Sequence, residues 1–294
     1  GFLGSAFIRS LKYKHDVEVS TCKREYWSDD EQLQNWVKSL DVLVHLAGKN
    51  RSNEPEEITS VNIGLTSQLI EALERTQSKP RVIFSSSIQE HRDNVYGESK
   101  RRARELWCQW SERNQADFVG LLIPNLFGPF GKPYYNSVVA TFCHQIIIGE
   151  NPKINIDAEL PLIYVDECVD QIIHWVFRGE GFNMNHTIEH SFNVKVSDIL
   201  GQLKFFKEKY VGSGEMPALD SKWELYLFAT FQSYLPLDNF FPFSLKLNTD
   251  QRGSFVEIIR LSSGGQVSFS TTVPEIVRGN HFHKKSVQYS FIIS

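Results

Sequence analysis

A tyrosine and a lysine stand four residues apart in "NVYGESK", Tyr96 and Lys100, and a serine, Ser87, closes the run "RVIFSSS" nine residues before the tyrosine. On a helix the four-residue spacing puts the phenol and the ammonium on one face. These residue types suit reduction of a carbonyl: the phenol delivers a proton to the carbonyl oxygen, the ammonium draws the phenol's pKa down from about 10, and the serine hydroxyl holds the oxygen. A hydride has to come from a cofactor. Y-x-x-x-K alone arises often on helices, and three serines at the end of a strand are ordinary turn chemistry, so the surrounding elements decide.

Those elements alternate. "GFLGSAFIRSL" reads as a glycine loop entering a helix, "VEVS" (17–20) as a short strand, and "DVLVHLAG" (41–48) as a strand apolar enough to be covered on both faces. Val61, Leu65, Leu69 and Leu73 recur at helical spacing within 58–75, "RVIFSSS" (81–87) is a strand, 96–113 is a helix, and "FVGLLIPNLFG" (118–128) returns as a strand. Short connections between such elements allow only crossovers, so the fold class is α/β, a Rossmann-type doubly wound parallel sheet. Ligands of such sheets sit beyond the carboxyl ends of the strands, where Ser87 lies. Gly1 and Gly4 match the end of a phosphate loop, in which missing side chains let a pyrophosphate approach the backbone at a helix N-terminus. Lys23 and Arg24 follow the second strand, where basic residues accommodate a 2′-phosphate; they read equally well as solubilising surface residues.

Beyond 150, "LIYVDECVDQIIHWVF" gives a strand and a helix, and 198–234 is mainly helical. From about 245 apolar and polar residues alternate between glycine-bearing turns, which predicts antiparallel strands and a boundary that separates residues 1–244 from 245–294. The 294-residue chain is 41% hydrophobic with a net charge of -4, long enough for two domains and without the basic stripe that nucleic acid requires. Lys100, Arg101, Arg102 and Arg104 form one dense basic cluster, which reads mostly as a solvated helix face. The four cysteines lack metal or disulfide spacing, and no apolar run is long enough to span a membrane, so a cytoplasmic location is expected.

With Gly1 and Gly4, "HLAG" (45–48), Asn62, "SSS" (85–87), "YGESK" (96–100), "PNLFG" (124–128) and "YVDE" (164–167), the sequence resembles the extended short-chain dehydrogenase/reductases that act on nucleotide sugars. More narrowly it is similar to the CapF-type capsular polysaccharide enzymes, which join a reductase domain to a C-terminal cupin domain. The resemblance implies a UDP-linked 4-keto-6-deoxy-N-acetylhexosamine, on the route to UDP-N-acetyl-L-fucosamine, as substrate, and Lys23 and Arg24 lean toward NADP(H) as cofactor. It implies that Tyr96 is the acid for C4 reduction, that Lys100 tunes it, and that Ser87 orients the sugar carbonyl. It further implies cofactor contacts from Ala47, Gly48 and Asn62, a substrate contact from Asn125, and a homodimer. One departure is Leu122, where the family usually carries an arginine.

"DQRGSFVEI" and "RGNHFH" resemble the start of the cupin half. Alternation places His281 and His283 on one face of a strand, where two imidazoles can share a zinc ion. Gln288 occupies the position of the family's glutamate, so a weak, incomplete metal site is expected and the cupin's epimerase step is expected to be lost. The strand that should lead into "GFLG" is not in the sequence, so the sheet is expected to lack its first strand. Two competing readings remain at this point: an NAD-dependent nucleotide-sugar epimerase or dehydratase using the same three residues, and a non-catalytic nucleotide-binding fragment. Ile88 and Gln89, in place of the acidic pair that follows the threonine of dehydratases, weigh mildly against dehydration.

Overall fold

The structure is a computed structural model and describes residues 1–14, 16–178, 183–240, 244–262, 264–277 and 289. The chain divides into two compact units, Gly1–Lys204 with Ser221–Leu235, and Phe205–Asp220 with Pro236–Ser294.

In chain order the elements up to the end of the first sheet are α1 (Phe2–Lys14), α2 (Asp30–Lys38), β1 (Val42–His45), α3 (Pro55–Thr76), β2 (Arg81–Ser87), α4 (Val95–Asn114), β3 (Phe118–Ile123), β4 (Asn125–Phe127), α5 (Val138–Ile148), β5 (Glu159–Tyr164), α6 (Val165–Phe177) and β6 (Met184–Thr187). They are followed by β7 (Phe192–Lys195), α7 (Val196–Phe206), β8 (Glu215–Met216), α8 (Lys222–Gln232), α9 (Leu237–Phe240), β9 (Leu247–Asp250), β10 (Gly253–Leu261) and β11 (Gln266–Ser270).

The main sheet of the first unit runs β1-β2-β3-β6, every pair parallel. β2 and β3 are buried along almost their whole length because helices cover both faces. Ala6, Phe7 and Leu11 of α1 pack with Cys168, Val169 and Ile172 of α6 against Ile83, Val119 and Leu121. On the opposite face Leu33, Val37, Leu69, Leu73, Trp107 and Trp110, from α2, α3 and α4, bury Val82, Phe84 and Phe118. This is the doubly wound α/β architecture read from the alternation of elements.

Two local expectations fail for physical reasons. Residues 17–20 form no strand: a ladder needs a neighbour to exchange hydrogen bonds with, and among the described residues this segment has none. Ser20 instead accepts a bond from the Trp36 indole at 2.9 Å. The expected single strand over 118–128 breaks at Pro124, which has no N–H to donate. β3 stays in the main sheet, whereas β4 enters a second sheet ordered β4-β5-β7, parallel to β5, which pairs with β7 antiparallel.

In the second unit β10 pairs antiparallel with β9 and β11, in keeping with the alternation after 245. Its far end pairs parallel with β8, Arg260 opposite Glu215, so a segment from before residue 220 joins the C-terminal strands. At Gly253 φ is +129° and a Cβ would overlap the Thr271 carbonyl, so the turn into β10 requires glycine.

Candidate active site

Ser87 and the start of α4, which carries Tyr96 and Lys100, lie at the carboxyl end of β2. Ser87 ends β2, and its hydroxyl accepts from the Gln89 amide at 3.2 Å, capping a short 3-10 helix over Ile88–His91. Asn94 caps α4 by accepting from the Gly97 amide at 2.8 Å, which starts the helix one residue before Tyr96 and turns its first two turns toward the sheet edge. Gly97 is required there, since a Cβ would overlap the carbonyl oxygen of Gln89. The turn between Ser87 and Tyr96 therefore lies directly on the first turn of α4.

Lys100 is buried, with its Nζ 4.2 Å from the centroid of the Phe84 ring. Burial pulls its pKa down to about 7, against the attraction of Glu90. Tyr96 is half-buried, and its phenol is pushed up to about 12, first by burial and then by Tyr135. The lysine was expected to acidify the phenol. Burial instead keeps the phenol protonated, the form a general acid needs. His45, below Lys100 on β1, accepts from the Trp107 indole at 3.3 Å. Burial drives its pKa to about 3, with the Lys100 charge adding to the fall and a backbone interaction at Ala47 opposing it. It is a neutral core histidine, as its place in a buried strand implied.

Asn62 ties the site together. Buried on α3, it accepts from the Lys49 amide at 2.7 Å and donates to the Lys49 carbonyl and to the Ser99 hydroxyl, each at 2.9 Å. Ser99 donates in turn to the Tyr96 carbonyl at 2.7 Å. One amide thus joins the 46–50 loop to the helix that carries Tyr96 and Lys100. Gly48 of that loop is exposed, and a Cβ there would stand 3.0 Å from the Asn62 oxygen and 3.7 Å from Lys100 Nζ. Ala47 beside it is also exposed.

Gly1 and Gly4 sit at the N-terminus of α1 with open space where side chains would be, and no acidic residue stands in that first turn. The N-terminus of a 13-residue helix, with Gly1 just before it and Gly4 in its first turn, fits the phosphates of a dinucleotide. Lys23 and Arg24 are exposed at the start of a 3-10 helix, with Lys23 Nζ 6.0 Å from the centroid of the Tyr26 ring. Asn125 donates to the Pro161 carbonyl at 3.1 Å, which engages its amide in joining β4 to β5. Leu122 is buried in β3. His281, His283 and Gln288 lie outside the described residues.

Several residues of this region were not legible as such. Tyr135 reaches Tyr96 from a loop whose Phe130 and Tyr134 have φ of 68° and 55°. Arg51 donates to the carbonyls of Tyr134 and Tyr135 at 3.1 and 3.0 Å, and Ser233 accepts from the Phe130 amide at 3.1 Å. An open cleft of about 430 Å³ lies between Asn50, Arg51, Tyr135 and the start of α5. The basic cluster on α4 also divides: Arg101 and Arg102 are exposed, but Lys100 and Arg104 turn inward, Arg104 to Glu90. No spacing rule signals a pair of residues fourteen apart.

A parallel sheet wound on both faces, with a glycine-led helix and a Ser-Tyr-Lys set at its carboxyl edge, defines a Rossmann-type fold of the extended short-chain dehydrogenase/reductase class. The chain belongs to the NAD dependent epimerase/dehydratase family, whose model matches residues 1–187, and residues 248–294 match the polysaccharide biosynthesis C-terminal domain. It is 34% identical, over its full length and 78% of the relative's, to the UDP-2-acetamido-2,6-beta-L-arabino-hexul-4-ose reductase of Pseudomonas aeruginosa. Among solved structures, the capsular polysaccharide assembling protein CapF of Staphylococcus aureus superposes with a TM-score of 0.80 at 34% identity, covering 97% of this chain and 77% of that one. RMD of Pseudomonas aeruginosa, solved with NADPH, shares the fold with a TM-score of 0.67 at 16% identity, over 80% of this chain and 95% of that one.

Proposed function

We propose that this protein reduces the C4 ketone of a UDP-4-keto-6-deoxy-N-acetylhexosamine with NADP(H), in the making of a capsular or O-antigen polysaccharide precursor. What supports this reading is that Ser87 ends β2 while Tyr96 and Lys100 lie in the first two turns of α4, whose Gly97 packs on the turn that follows Ser87, and that burial keeps the Tyr96 phenol protonated. The sugar ketone class comes from the Pseudomonas aeruginosa reductase, and NADP(H) draws support from exposed Lys23 and Arg24.

In this reading Gly1, Gly4, Ala47, Gly48 and Asn62 shape the dinucleotide cradle, and a reduced nicotinamide supplies the hydride when bound. Ser87 holds the ketone oxygen by a hydrogen bond. Tyr96 gives its proton to that oxygen as the alkoxide forms, and the Lys100 ammonium stabilises the phenolate left behind. Asn125 lines the sugar side. In this reading residues 248–294, which match the polysaccharide biosynthesis C-terminal domain, are of cupin type, and His281 and His283 would offer zinc two of its usual four ligands. As part of this reading the protein works as a homodimer, as the family resemblance implies, and in the cytoplasm, which its four free cysteines favour. Among the described residues no helix is long and apolar enough to cross a membrane.

The test is oxidation of NADPH, followed by nicotinamide absorbance, in the presence of the 4-keto UDP-sugar. Tyr96→Phe should lower turnover by about a hundredfold or more while leaving NADPH affinity within a few-fold. Turnover by the phenylalanine variant at the parent rate would overturn the assignment.

A further inference from the structure

We propose that Glu90 is a positioning residue of this site: its carboxylate clips the turn between Ser87 and Tyr96 to the sheet and stands as the counter-charge to Lys100. The proposal deepens the reductase reading and rests on it.

Glu90 is 6% exposed, and among the described residues other buried charged side chains are few. A buried carboxylate persists only when paired and hydrogen-bonded, and this one is. Ser86, the residue before Ser87, donates to Oε2 at 2.7 Å. Arg104 Nε lies 3.1 and 3.0 Å from the two carboxylate oxygens. The arginine reaches it through a slot that the sheet leaves open: a Cβ on Gly120 of β3 would come within 2.9 Å of Arg104 Cδ. Next to Glu90, the Gln89 carbonyl presses on Gly97, the residue after Tyr96. The turn is thus fastened to β2 by Ser86 and to α4 by Arg104 and Gly97. Its two ends carry the hydroxyl and the phenol that must meet one ketone oxygen.

The electrostatic half of the argument concerns the groups around Lys100. Gly97, Lys100 and Arg104 follow one another on one face of α4, and Glu90 lies along that face, its amide against Gly97 and its carboxylate on Arg104; His45 of β1 and the Phe84 ring of β2 stand on the sheet side of Lys100. Around Glu90 itself stand Ser86, Lys100 and Arg104, the last also contacting Cys108. His45 is neutral, so Glu90 supplies the negative charge that opposes desolvation of the ammonium. Proton transfer from Tyr96 to the ketone leaves a phenolate, and that product is stabilised only by a charged Lys100. Loss of Glu90 should therefore bring the alkaline fall in turnover to lower pH.

The test uses Glu90→Gln, which keeps the shape and removes the charge. Without cofactor, NMR titration of isotope-labelled lysine Cε should show the Lys100 midpoint falling by about one pH unit, a typical effect of losing one nearby opposite charge. The alkaline limb of kcat should move by a similar amount, with KM for the sugar within twofold, whereas Glu90→Asp should restore the limb. Should Arg104, left unpaired, unfold Glu90→Gln, the double variant Glu90→Gln/Arg104→Met removes both charges; because the lost Arg104 charge had repelled Lys100, the midpoint is expected to fall in the same direction but by less. An unchanged Lys100 midpoint and limb in either folded variant would overturn the proposal, even with Tyr96→Phe inactive. If the parent oxidises no NADPH, the reductase reading falls while the NMR midpoint still decides the coupling.

Discussion

Replacing Asn62 by alanine removes the joint between the cofactor-side loop and the helix that bears the acid. Three hydrogen bonds go: from the Lys49 amide, to the Lys49 carbonyl and to Ser99 Oγ. Each is worth about 1 kcal/mol net, and a buried partner left unsatisfied costs about 1–3 kcal/mol. Ser99 is wholly buried, but its hydroxyl keeps its bond to the Tyr96 carbonyl, so the full desolvation penalty does not fall on it. Lys49 is half-exposed, and water can reach part of what Asn62 leaves. The sum is about 2–4 kcal/mol, roughly 5–12 °C in Tm for a unit of this size. Thermal unfolding followed by circular dichroism measures the first effect. Calorimetric titration with NADPH measures the second, an expected fall in affinity of about tenfold as Gly48 loses its backing. Asn62→Asp keeps the acceptor and loses both donors, so it should fall between the parent and alanine. A melting point for Asn62→Ala within about 1 °C of the parent, together with unchanged NADPH affinity, would refute the claim that this amide holds the site together.

Two further outcomes follow from the same geometry. Gly97→Ala pushes the Gln89 carbonyl away and separates Ser87 from Tyr96, so kcat should fall at least about tenfold with little change in NADPH affinity; steady-state kinetics beside a calorimetric Kd checks the split. His45 has its folded pKa depressed to about 3 from an ordinary value of 6.5, so the unfolded chain binds more protons between those limits. Stability from its neutral burial is full above pH 6.5 and is lost as pH falls toward 3; His45→Gln should flatten that acid slope in denaturant titrations, by an amount of order 1 kcal/mol per pH unit.

The sequence by itself determined the strand and helix alternation, because apolar runs and helical repeats are local patterns set by which faces must be buried. It also placed Ser87 at a strand end and Tyr96 with Lys100 on one helix face, since those relations depend on a few bonds of chain. Other features depended on partners far along the chain. Residues 17–20 have strand composition, but a strand exists only beside another, and Pro124 divides one apolar run between two sheets. The basic cluster on α4 looked like a solvated face because charge and spacing do not say which way a side chain turns; Gly120 opens the slot that brings Arg104 to Glu90. The protonation of the site was likewise decided in three dimensions. Lys100 four residues from Tyr96 predicts an acidified phenol, and burial of both reverses the balance, because desolvation depends on everything packed around a charge and spacing records only what is bonded nearby.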